Sequence, residues 1–345
     1  MPDRKLPPQK RVRLADIAEV AQVTIPTVSH VLAGRARSKR ISEALEKRIQ
    51  DIALQLGYRP NLLARSLITQ RSMTIGILVA NLGESFYPAV MARLHYQMRQ
   101  HGYLLLFTNH YMDAKLFREE VNALQQRSVD AIVLGPVPDE VKELREIGNL
   151  AAQCPVVGFE WSHPALDCVL NSAKTLGQAA ADYLLGKGVR KVLAISLVED
   201  EGMLHGLPGV LAERLKWFQK RFESQSRNKV TVWQMNNAEE LVERLGRSLA
   251  ANALQEFDGF FFPKKLSGEL FLNETIHLQP DLLKREAILI SGEAFRPSLR
   301  RHIAVLYQDP STIGDRLAEK LLARIENRQL KPATIDIPAE LLERI

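Results

Sequence analysis

The chain begins with two short stretches whose apolar residues recur at helical spacing. Residues 14–21, LADIAEVA, place apolar or small side chains at the i, i+3, i+4 and i+7 positions of an amphipathic helix. A second helix is predicted over residues 25–32, with Thr24 as its N-cap, because a threonine hydroxyl can accept a hydrogen bond from a free amide of the first turn. Two short helices joined by residues 22–23 are typical of a helix-turn-helix, and a generic helical hairpin is the alternative.

A third helix and a glycine-tyrosine motif follow this hairpin. Residues 41–56 are predicted to form the helix, and residues 57–67 then have the sequence GYRPNLLARSL. Residues 61–67 suit a short helix capped by Asn61, but seven residues are too few for a helix that is stable alone. Another element must therefore order this segment.

From Met73 onward, short apolar runs alternate with helical stretches. The runs predicted to be buried strands are residues 74–80, 103–108, 131–134, 155–159, 191–196, 230–234, 259–262 and 287–291. This alternation predicts an α/β protein with parallel sheets in doubly wound subdomains. Such sheets bind ligands at the carboxyl ends of their strands, so a cleft between two subdomains is the expected binding site.

Charge separates the first part of the chain from the rest. Residues 1–72 contain 14 Lys and Arg against 6 Asp and Glu, whereas the remaining residues contain 32 against 34. A basic segment on a nearly neutral body indicates a polyanionic partner for that segment alone. The two cysteines, Cys154 and Cys168, form no disulfide framework or metal-ligand spacing and are predicted to be buried thiols.

Two motifs together identify a family resemblance. Residues 16–29 fit D-I-A-x-x-A-x-V-[ST]-x-x-T-V-S, and residues 57–67 fit G-Y-x-P-N-x-x-A-R-x-L. At this separation the pair resembles the LacI/GalR family of bacterial repressors. The resemblance implies a helix-turn-helix headpiece of three helices (1–58), a hinge helix and linker (59–72), and a periplasmic-binding-protein-like core of two interleaved, doubly wound α/β subdomains that binds an effector and dimerises (73–345).

The resemblance also implies that the second helix of the headpiece enters the DNA major groove. Base edges then face the first turn of this helix and the next, at Ile25, Pro26 and His30. Family members more often carry polar residues at the first two positions and arginine at the third. Ile25 and Pro26 can contact thymine methyl groups, and His30 can donate to purine N7 or O6. Thr27 and Ser29 are better placed for phosphates.

Further DNA contacts are expected from the loop after this helix and from the hinge helix. Arg35 and Arg37 belong to a loop with four cations and are predicted to contact phosphates, a solvated loop being the alternative. In the hinge helix, the resemblance implies that Leu67 is the apolar wedge inserted into the minor groove. The other residues assigned to the DNA side are Asn61, Ala64 and Arg65.

For the core, the resemblance implies a small effector, usually a sugar, nucleoside or phosphorylated metabolite. Arg214 lies where the family carries an arginine that grips ligand hydroxyls or carboxylates, and Lys265 falls where an Asn-Asp pair closes on sugar hydroxyls. Replacing an acceptor by a cation reverses what the pocket binds, so an anionic effector such as a sugar phosphate or sugar acid is predicted. The alternatives are that Lys265 faces solvent and that Trp161 packs in the core. The candidate effector residues are Glu84, Phe86, Trp161, Arg214, Lys265 and Glu293.

The sequence gives little support to an enzyme. It contains no G-x-G-x-x-G, no P-loop, no G-x-S-x-G and no paired His or Cys ligands, so neither a cofactor nor a metal site is expected. The absence of an apolar leader or spanning segment predicts a cytoplasmic protein without a membrane partner. The predicted function is a homodimeric DNA-binding regulator, usually a repressor in this family, that binds a near-palindromic operator and a small-molecule effector. The alternative is the same regulator with a core that responds to a protein partner or only dimerises.

Overall fold

A computed structural model of the chain describes residues 12–59, 66, 69, 71–80, 86–141, 144–197, 208–293 and 300–344. The chain forms two units, residues 1–70 and residues 71–345. The boundary lies within the segment 59–72 that the sequence assigns to the hinge helix and linker.

The first unit contains three helices whose ends agree with the sequence prediction to within two residues. They are α1 (Leu14–Ala21), α2 (Ile25–Leu32) and α3 (Glu43–Gln55), with a short 3-10 turn at Arg37–Lys39. The hydroxyl of Thr24 accepts a hydrogen bond from Thr27 N, and the hydroxyl of Ser42 accepts one from Leu45 N, each at 3.4 Å. Both caps satisfy an amide that the first helical turn leaves unpaired.

The three helices pack around a small apolar core. Ile17 of α1, Val28 and Val31 of α2, and Ile49 of α3 are almost completely buried in it. Gln22 joins α1 to α2 in the left-handed conformation, with φ 53° and ψ 46°. A non-glycine residue pays about 1 kcal/mol for this conformation, so the packing of α1 on α2 must compensate for the strain in the turn.

The second unit contains two six-stranded sheets. The first sheet, with its flanking helices, is the N-terminal subdomain. In sheet order its strands are β11 (Thr334–Asp336), β5 (Asp167–Leu170), β4 (Val156–Phe159), β3 (Ala131–Leu134), β1 (Thr74–Val79) and β2 (Leu104–Asn109). The helices packed on it are α4 (Phe86–Gln100), α5 (Ala114–Gln126), α6 (Leu144–Gln153) and α11 (Pro310–Glu326).

The second sheet forms the C-terminal subdomain in the same manner. Its strands, in sheet order, are β12 (Glu340–Leu342), β10 (Ala304–Tyr307), β9 (Glu286–Ser291), β8 (Gly259–Phe262), β6 (Lys191–Leu197) and β7 (Lys229–Met235). Its helices are α7 (Ala173–Gly186), α8 (Pro208–Phe222), α9 (Ala238–Ala250) and α10 (Lys265–Leu278). Neighbouring strands of both sheets run parallel, except that β12 is antiparallel to β10.

The chain passes between the two subdomains at three places, which we call the crossings. The first crossing (171–172) follows β5, the second (308–309) joins β10 to α11, and the third (337–339) joins β11 to β12. The predicted doubly wound α/β architecture is thus confirmed. The strands β5, β10, β11 and β12 were not predicted; β5, β11 and β12 each include an acidic residue that interrupts the apolar pattern, whereas β10 is as apolar as the strands that were predicted.

Two smaller predictions are also confirmed. The strand predicted at residues 259–262 is β8, and its three phenylalanine side chains are fully buried. Cys154 and Cys168 are free, buried thiols, and burial raises the pKa of both. Across the described ranges, no helix combines the length and apolar character needed to cross a membrane.

Candidate nucleic-acid interface and ligand cleft

The first turn of α2 exposes apolar side chains. Ile25 is 49% exposed, and Pro26 at the start of the helix is also exposed, while Val28 and Val31 face the core. Proline is tolerated here because the first-turn amide has no partner within the helix. The surface that the sequence assigns to base contacts is therefore apolar at its leading end.

The polar residues of α2 lie deeper than these two. Thr27, Ser29 and His30 are half-buried, and the hydroxyl groups of Thr27 and Thr24 are 2.9 Å apart. His30 Nδ1 is buried and has no hydrogen-bond partner within the described part of the chain. One edge of the imidazole is therefore shielded from solvent.

The loop after α2 presents its cations to solvent. Arg35 and Arg37 are both exposed, and Arg37 lies 3.7 Å from Glu43 in an ion pair whose side chains are 90% and 88% exposed. An ion pair this exposed contributes little to stability and leaves the guanidinium available to another anion. The remaining predicted DNA residues, Asn61, Ala64, Arg65 and Leu67, lie outside the described residues, as does Glu84 of the effector set.

The carboxyl ends of the two sheets meet at the boundary between the subdomains, which we call the cleft. Phe86 at the start of α4 contacts Gly292, which follows β9, so that a Cβ atom on Gly292 would overlap its ring. The same ring stacks on Phe159 at the end of β4, with ring centroids 6.2 Å apart. Phe86 therefore fills the space between the two subdomains at this point.

Arg214 of α8 is buried in the cleft. Its Nη1 donates to Pro263 O at 2.9 Å, and its Nη2 donates to Gln308 Oε1 at 3.2 Å. Helix α8 can lie this close to α7 because Gly177 has no Cβ atom to meet the backbone of Arg214 and Phe218. The guanidinium thus points from α8 toward the crossing at Gln308.

Two of the predicted effector residues, Lys265 and Glu293, are in contact in the structure. Lys265 Nζ hydrogen-bonds the Glu293 carboxylate and lies 3.5 Å from Glu269 Oε1. Burial disfavours the ammonium ion, but these two carboxylates outweigh that effect and raise the pKa of Lys265. Lys265, which stands where the family has an Asn-Asp pair, is therefore paired with two carboxylates of the protein itself. Glu269 belongs to the same helix, and Glu293 belongs to the loop after β9.

Trp161 lies in the N-terminal subdomain, just after β4. Its indole Nε1 donates to Leu134 O at 2.8 Å, and its half-buried ring packs against the apolar cluster that includes Cys168. The polar atom of the indole is thus used within the subdomain. This contact favours the core-packing alternative for Trp161.

Three polar residues of the cleft were missed by the sequence analysis. Glu160 follows β4, Asn171 follows β5 and Gln308 follows β10, each as the residue after the last strand position. Asking which polar residue follows each parallel strand would have found Glu160, because the strand ending at Phe159 was predicted. Asn171 and Gln308 follow two of the strands that were not predicted.

Glu160 has an unusual environment for a carboxylate. Its Oε1 accepts a hydrogen bond from Asn171 N at 3.1 Å, and its backbone is left-handed with φ 60°. Burial raises its pKa to about 7, although the charge of Arg214 and the Asn171 amide oppose the rise; Asp336 adds to it. The cleft therefore contains a carboxyl group that changes charge near neutral pH.

The two units match two family descriptions. Residues 13–61 match "Bacterial regulatory proteins, lacI family", and residues 72–205 match "Periplasmic binding proteins and sugar binding domain of LacI family". A helix-turn-helix unit followed by a ligand-binding core of two subdomains defines a class of DNA-binding transcriptional regulators. Within that class, the chain belongs to the LacI/GalR family, as its sequence motifs predict.

Individual relatives agree with this assignment. The transcriptional regulator PtxS of Pseudomonas putida is 34% identical over 199 residues, which span 57% of this chain and only 57% of that protein. PtxS of Pseudomonas plecoglossicida is 28% identical over 343 residues, or 97% of this chain and 95% of the relative. The crystal structure of the lac repressor dimer bound to operator and the anti-inducer ONPF has the same fold, with a TM-score of 0.80 at 16% identity over 97% of this chain and 98% of its own.

The raised pKa of Glu160 predicts a pH-dependent stability. The pKa of Glu160 is about 7 in the folded protein and 4.5 in the unfolded chain, so folding favours the protonated carboxyl group. The stability that this preference contributes is fully present below pH 4.5 and is lost as the pH rises through 7. Glu160→Gln should therefore raise the free energy of unfolding by about 1–2 kcal/mol at pH 8 and change it little at pH 5. Urea unfolding at both pH values measures the difference.

Glu213→Gln is the matched control for this substitution. Glu213 lies on α8 and is half-exposed, and its hydrogen bond to Lys216 lowers its pKa, so it stays ionised over this pH range. The control should show the same small change at pH 5 and pH 8. An equal effect of Glu160→Gln at both pH values would contradict the assignment of the titration to Glu160.

Proposed function

We propose that the protein is a sequence-specific transcriptional repressor that binds a near-palindromic operator as a homodimer and is controlled by a small molecule in the cleft. The observation that supports DNA reading most directly is the exposed leading face of α2, formed by Ile25 and Pro26 on a helix whose other face is buried. No catalytic role is proposed. Because its partner is operator DNA, we expect the protein to act in the bacterial cytoplasm.

The proposed reading of DNA combines apolar and polar contacts. Ile25 and Pro26 contact thymine methyl groups, and His30 donates to a purine N7 or O6. Thr27, Ser29 and the exposed Arg35 and Arg37 contact phosphates, which add affinity and salt dependence without reading sequence.

The hinge helix completes the DNA contacts in this proposal. Asn61 caps the helix, and Ala64 is small enough for two such helices to approach each other. Arg65 contributes a cation, and Leu67 enters the minor groove at the operator centre and bends the duplex. We assign residues 1–58 to the headpiece, 59–72 to the hinge helix and linker, and 73–345 to the core.

An exposed apolar patch on the N-terminal subdomain supports the homodimer. Pro88, Met91, Ala92, His95, Leu105 and Phe107 line a groove between α4 and the edge strand β2. Of these residues, Phe107 is 41% exposed. Such an edge favours association, and we propose a second copy as the occupant because two headpieces are needed for a palindromic operator.

The effector is proposed to bind in the cleft between the carboxyl ends of the two sheets. Arg214 supplies the donors for an anionic group, and Glu160 supplies an acceptor for hydroxyl groups. An anion that also uses Lys265 must displace the Glu293 carboxylate from it. A sugar phosphate or sugar acid carries both an anion and hydroxyl groups, so it suits this combination.

A second candidate is a core that binds no small molecule and responds to a protein partner or only dimerises. It is favoured by the neutralisation of Lys265 by Glu293 and Glu269 and by the contact of Phe86 with Gly292. In that case the cleft is filled and charge-balanced by the protein itself.

Selection of bound sequences from a random DNA pool tests the DNA function. We expect the full-length protein to enrich a palindromic motif with a flexible central step, and Leu67→Ala to weaken binding by losing the wedge. His30→Ala should relax the preference at one base pair of each half-site by about 1–3 kcal/mol. Leu54→Ala, at an exposed position of α3, is the control and should keep the motif. Failure of the wild-type protein to enrich any motif would contradict the proposal.

Calorimetric titration with sugar phosphates and with the matching neutral sugars tests the effector class. We expect binding of a phosphorylated sugar, and Arg214→Met should weaken it at least about tenfold because a charge-assisted hydrogen bond is lost. Lys174→Met removes an exposed cation near Trp217 and should have no effect. Binding of neutral sugars alone would contradict an anionic effector, and no binding at all would favour the second candidate.

Charge placed in the apolar patch tests the homodimer. Phe107→Glu should convert the dimer to monomers in analytical ultracentrifugation, because it buries an unpaired carboxylate in the interface. Leu330→Glu makes the same kind of change at an exposed leucine outside the patch and should leave the dimer intact. A Phe107→Glu protein that remains dimeric would exclude this surface as the interface.

A further inference from the structure

Two buried amide side chains lie at the crossings. Asn171 belongs to the first crossing and Gln308 to the second, and each is only 3% exposed. Buried amides are costly unless their donors and acceptors are paired. The partners of these two amides therefore show what holds the crossings together.

Asn171 hydrogen-bonds residues on both sides of it. Its Nδ2 donates to Ile337 O of the third crossing at 2.6 Å, and its Oδ1 accepts from Gln308 Nε2 of the second crossing at 3.0 Å. Its backbone N–H donates to Glu160 at 3.1 Å. A single side chain thus joins all three crossings.

Arg214 sets the direction of these hydrogen bonds. A guanidinium can only donate, so the Gln308 oxygen must face Arg214 and the Gln308 NH2 group must face Asn171. The oxygen of Asn171 then faces Gln308, which leaves its NH2 group for Ile337 O. Reversing either amide would place two acceptors or two donors against each other.

We propose that Asn171 and Gln308 form a clasp that holds the three crossings as one unit, with Arg214 as the positioning residue that keeps the clasp closed. The regulatory part of this proposal rests on the proposed function: an anion that draws the Arg214 guanidinium away frees the Gln308 amide to reverse. Reversal breaks the hydrogen bond to Asn171 and uncouples the second crossing from the other two. Ligand binding then changes how the subdomains are held.

Other hydrogen bonds show which link of the clasp is the sensitive one. Ser172 N and Thr175 Oγ1 both donate to Asp336 at 2.8 Å, and Ile337 N donates to Leu170 O at 2.8 Å. The first and third crossings are therefore tied more than once. Among the described residues, the hydrogen bond from Gln308 to Asn171 is the one that joins the second crossing to the other two.

Hydrogen exchange of the full-length protein without ligand tests the clasp. Gln308→Glu keeps an acceptor for Arg214 but removes the donor to Asn171, and Asn171→Leu removes both the acceptor for Gln308 and the donor to Ile337 at similar side-chain size. Each variant should accelerate exchange of the amides at all three crossings by at least about tenfold, the effect of one buried hydrogen bond. Exchange in the central strands β3 and β8 should be unchanged.

Two further variants test the coupling within the clasp. The double variant should exchange at the crossings no more than about twofold faster than the faster single variant. Both substitutions break the same hydrogen-bonded unit, so their effects are not additive. Arg214→Met, one step further along the chain of hydrogen bonds, should accelerate the same three segments. Asn228→Leu is the matched control, since Asn228 is a buried asparagine that donates to Phe222 O within the C-terminal subdomain.

The proposal is overturned by any of three results. These are acceleration confined to the crossing that carries the substitution, equal acceleration at the crossings in the control, and uniform acceleration that includes β3 and β8. The hydrogen-exchange experiment contains neither DNA nor effector, so its result is independent of the proposed function. A failed DNA selection with an intact clasp would thus reject the proposed function alone, and normal DNA selection with independent crossings would reject the clasp alone.

Discussion

The structure of the core depends on the satisfaction of backbone and side-chain polar groups where the chain passes between two parallel sheets. Each sheet includes strands from both sides of a crossing: β11 completes the first sheet and β12 the second, although both follow their neighbouring strands by many residues in the sequence. Three segments must therefore share one boundary away from water, where unpaired polar groups are costly. Asn171 and Gln308 meet this requirement with two amides whose orientation Arg214 sets. The same boundary contains the carboxyl ends of the strands, where parallel sheets bind ligands. The residues that satisfy the crossings therefore also line the ligand cleft.

Sharing one place gives the cleft residues two roles. Arg214 is the candidate donor for an anion, yet both of its described hydrogen bonds serve the fold, to Pro263 O and to Gln308. Lys265 is similarly engaged with Glu293. A ligand that binds these groups must replace interactions that the protein already makes, so its net affinity is the difference between two sets of hydrogen bonds. The difference between those sets is also what allows ligand binding to shift a conformational equilibrium.

Signals within a few residues were sufficient to predict the headpiece helices and the central strands. Elements that depend on pairing between distant parts of the chain could not be predicted in this way. The ends of α1 and α2 are marked by periodicity and by the Thr24 cap, both contained within a few residues. Strands such as β8 are continuous apolar runs, whereas β5, β11 and β12 each include an acidic residue and become recognisable as strands only through pairing with neighbours distant in the sequence; β10 has the same apolar signal as β8 and was not predicted. For the site, the resemblance led to Arg214, Lys265 and Glu293. The ion pair between the last two could not be foreseen, because it depends on the loops after β8 and β9 being adjacent.

One helix connects the cleft with the surface proposed for the homodimer. Helix α4 begins at Phe86, whose ring contacts Gly292 of the other subdomain, and its middle turns line the apolar groove beside β2. It is also joined to α11, the helix that follows the second crossing, by a two-point ion pair in which Arg93 Nε and Nη2 donate to Asp315 at 2.7 and 2.9 Å. The close packing at this point requires glycine, since a Cβ atom on Gly314 would meet the Arg93 side chain. Helix α4 therefore provides a continuous path of packed contacts from Phe86 and the second crossing to the apolar groove, the kind of path through which a conformational change can be transmitted.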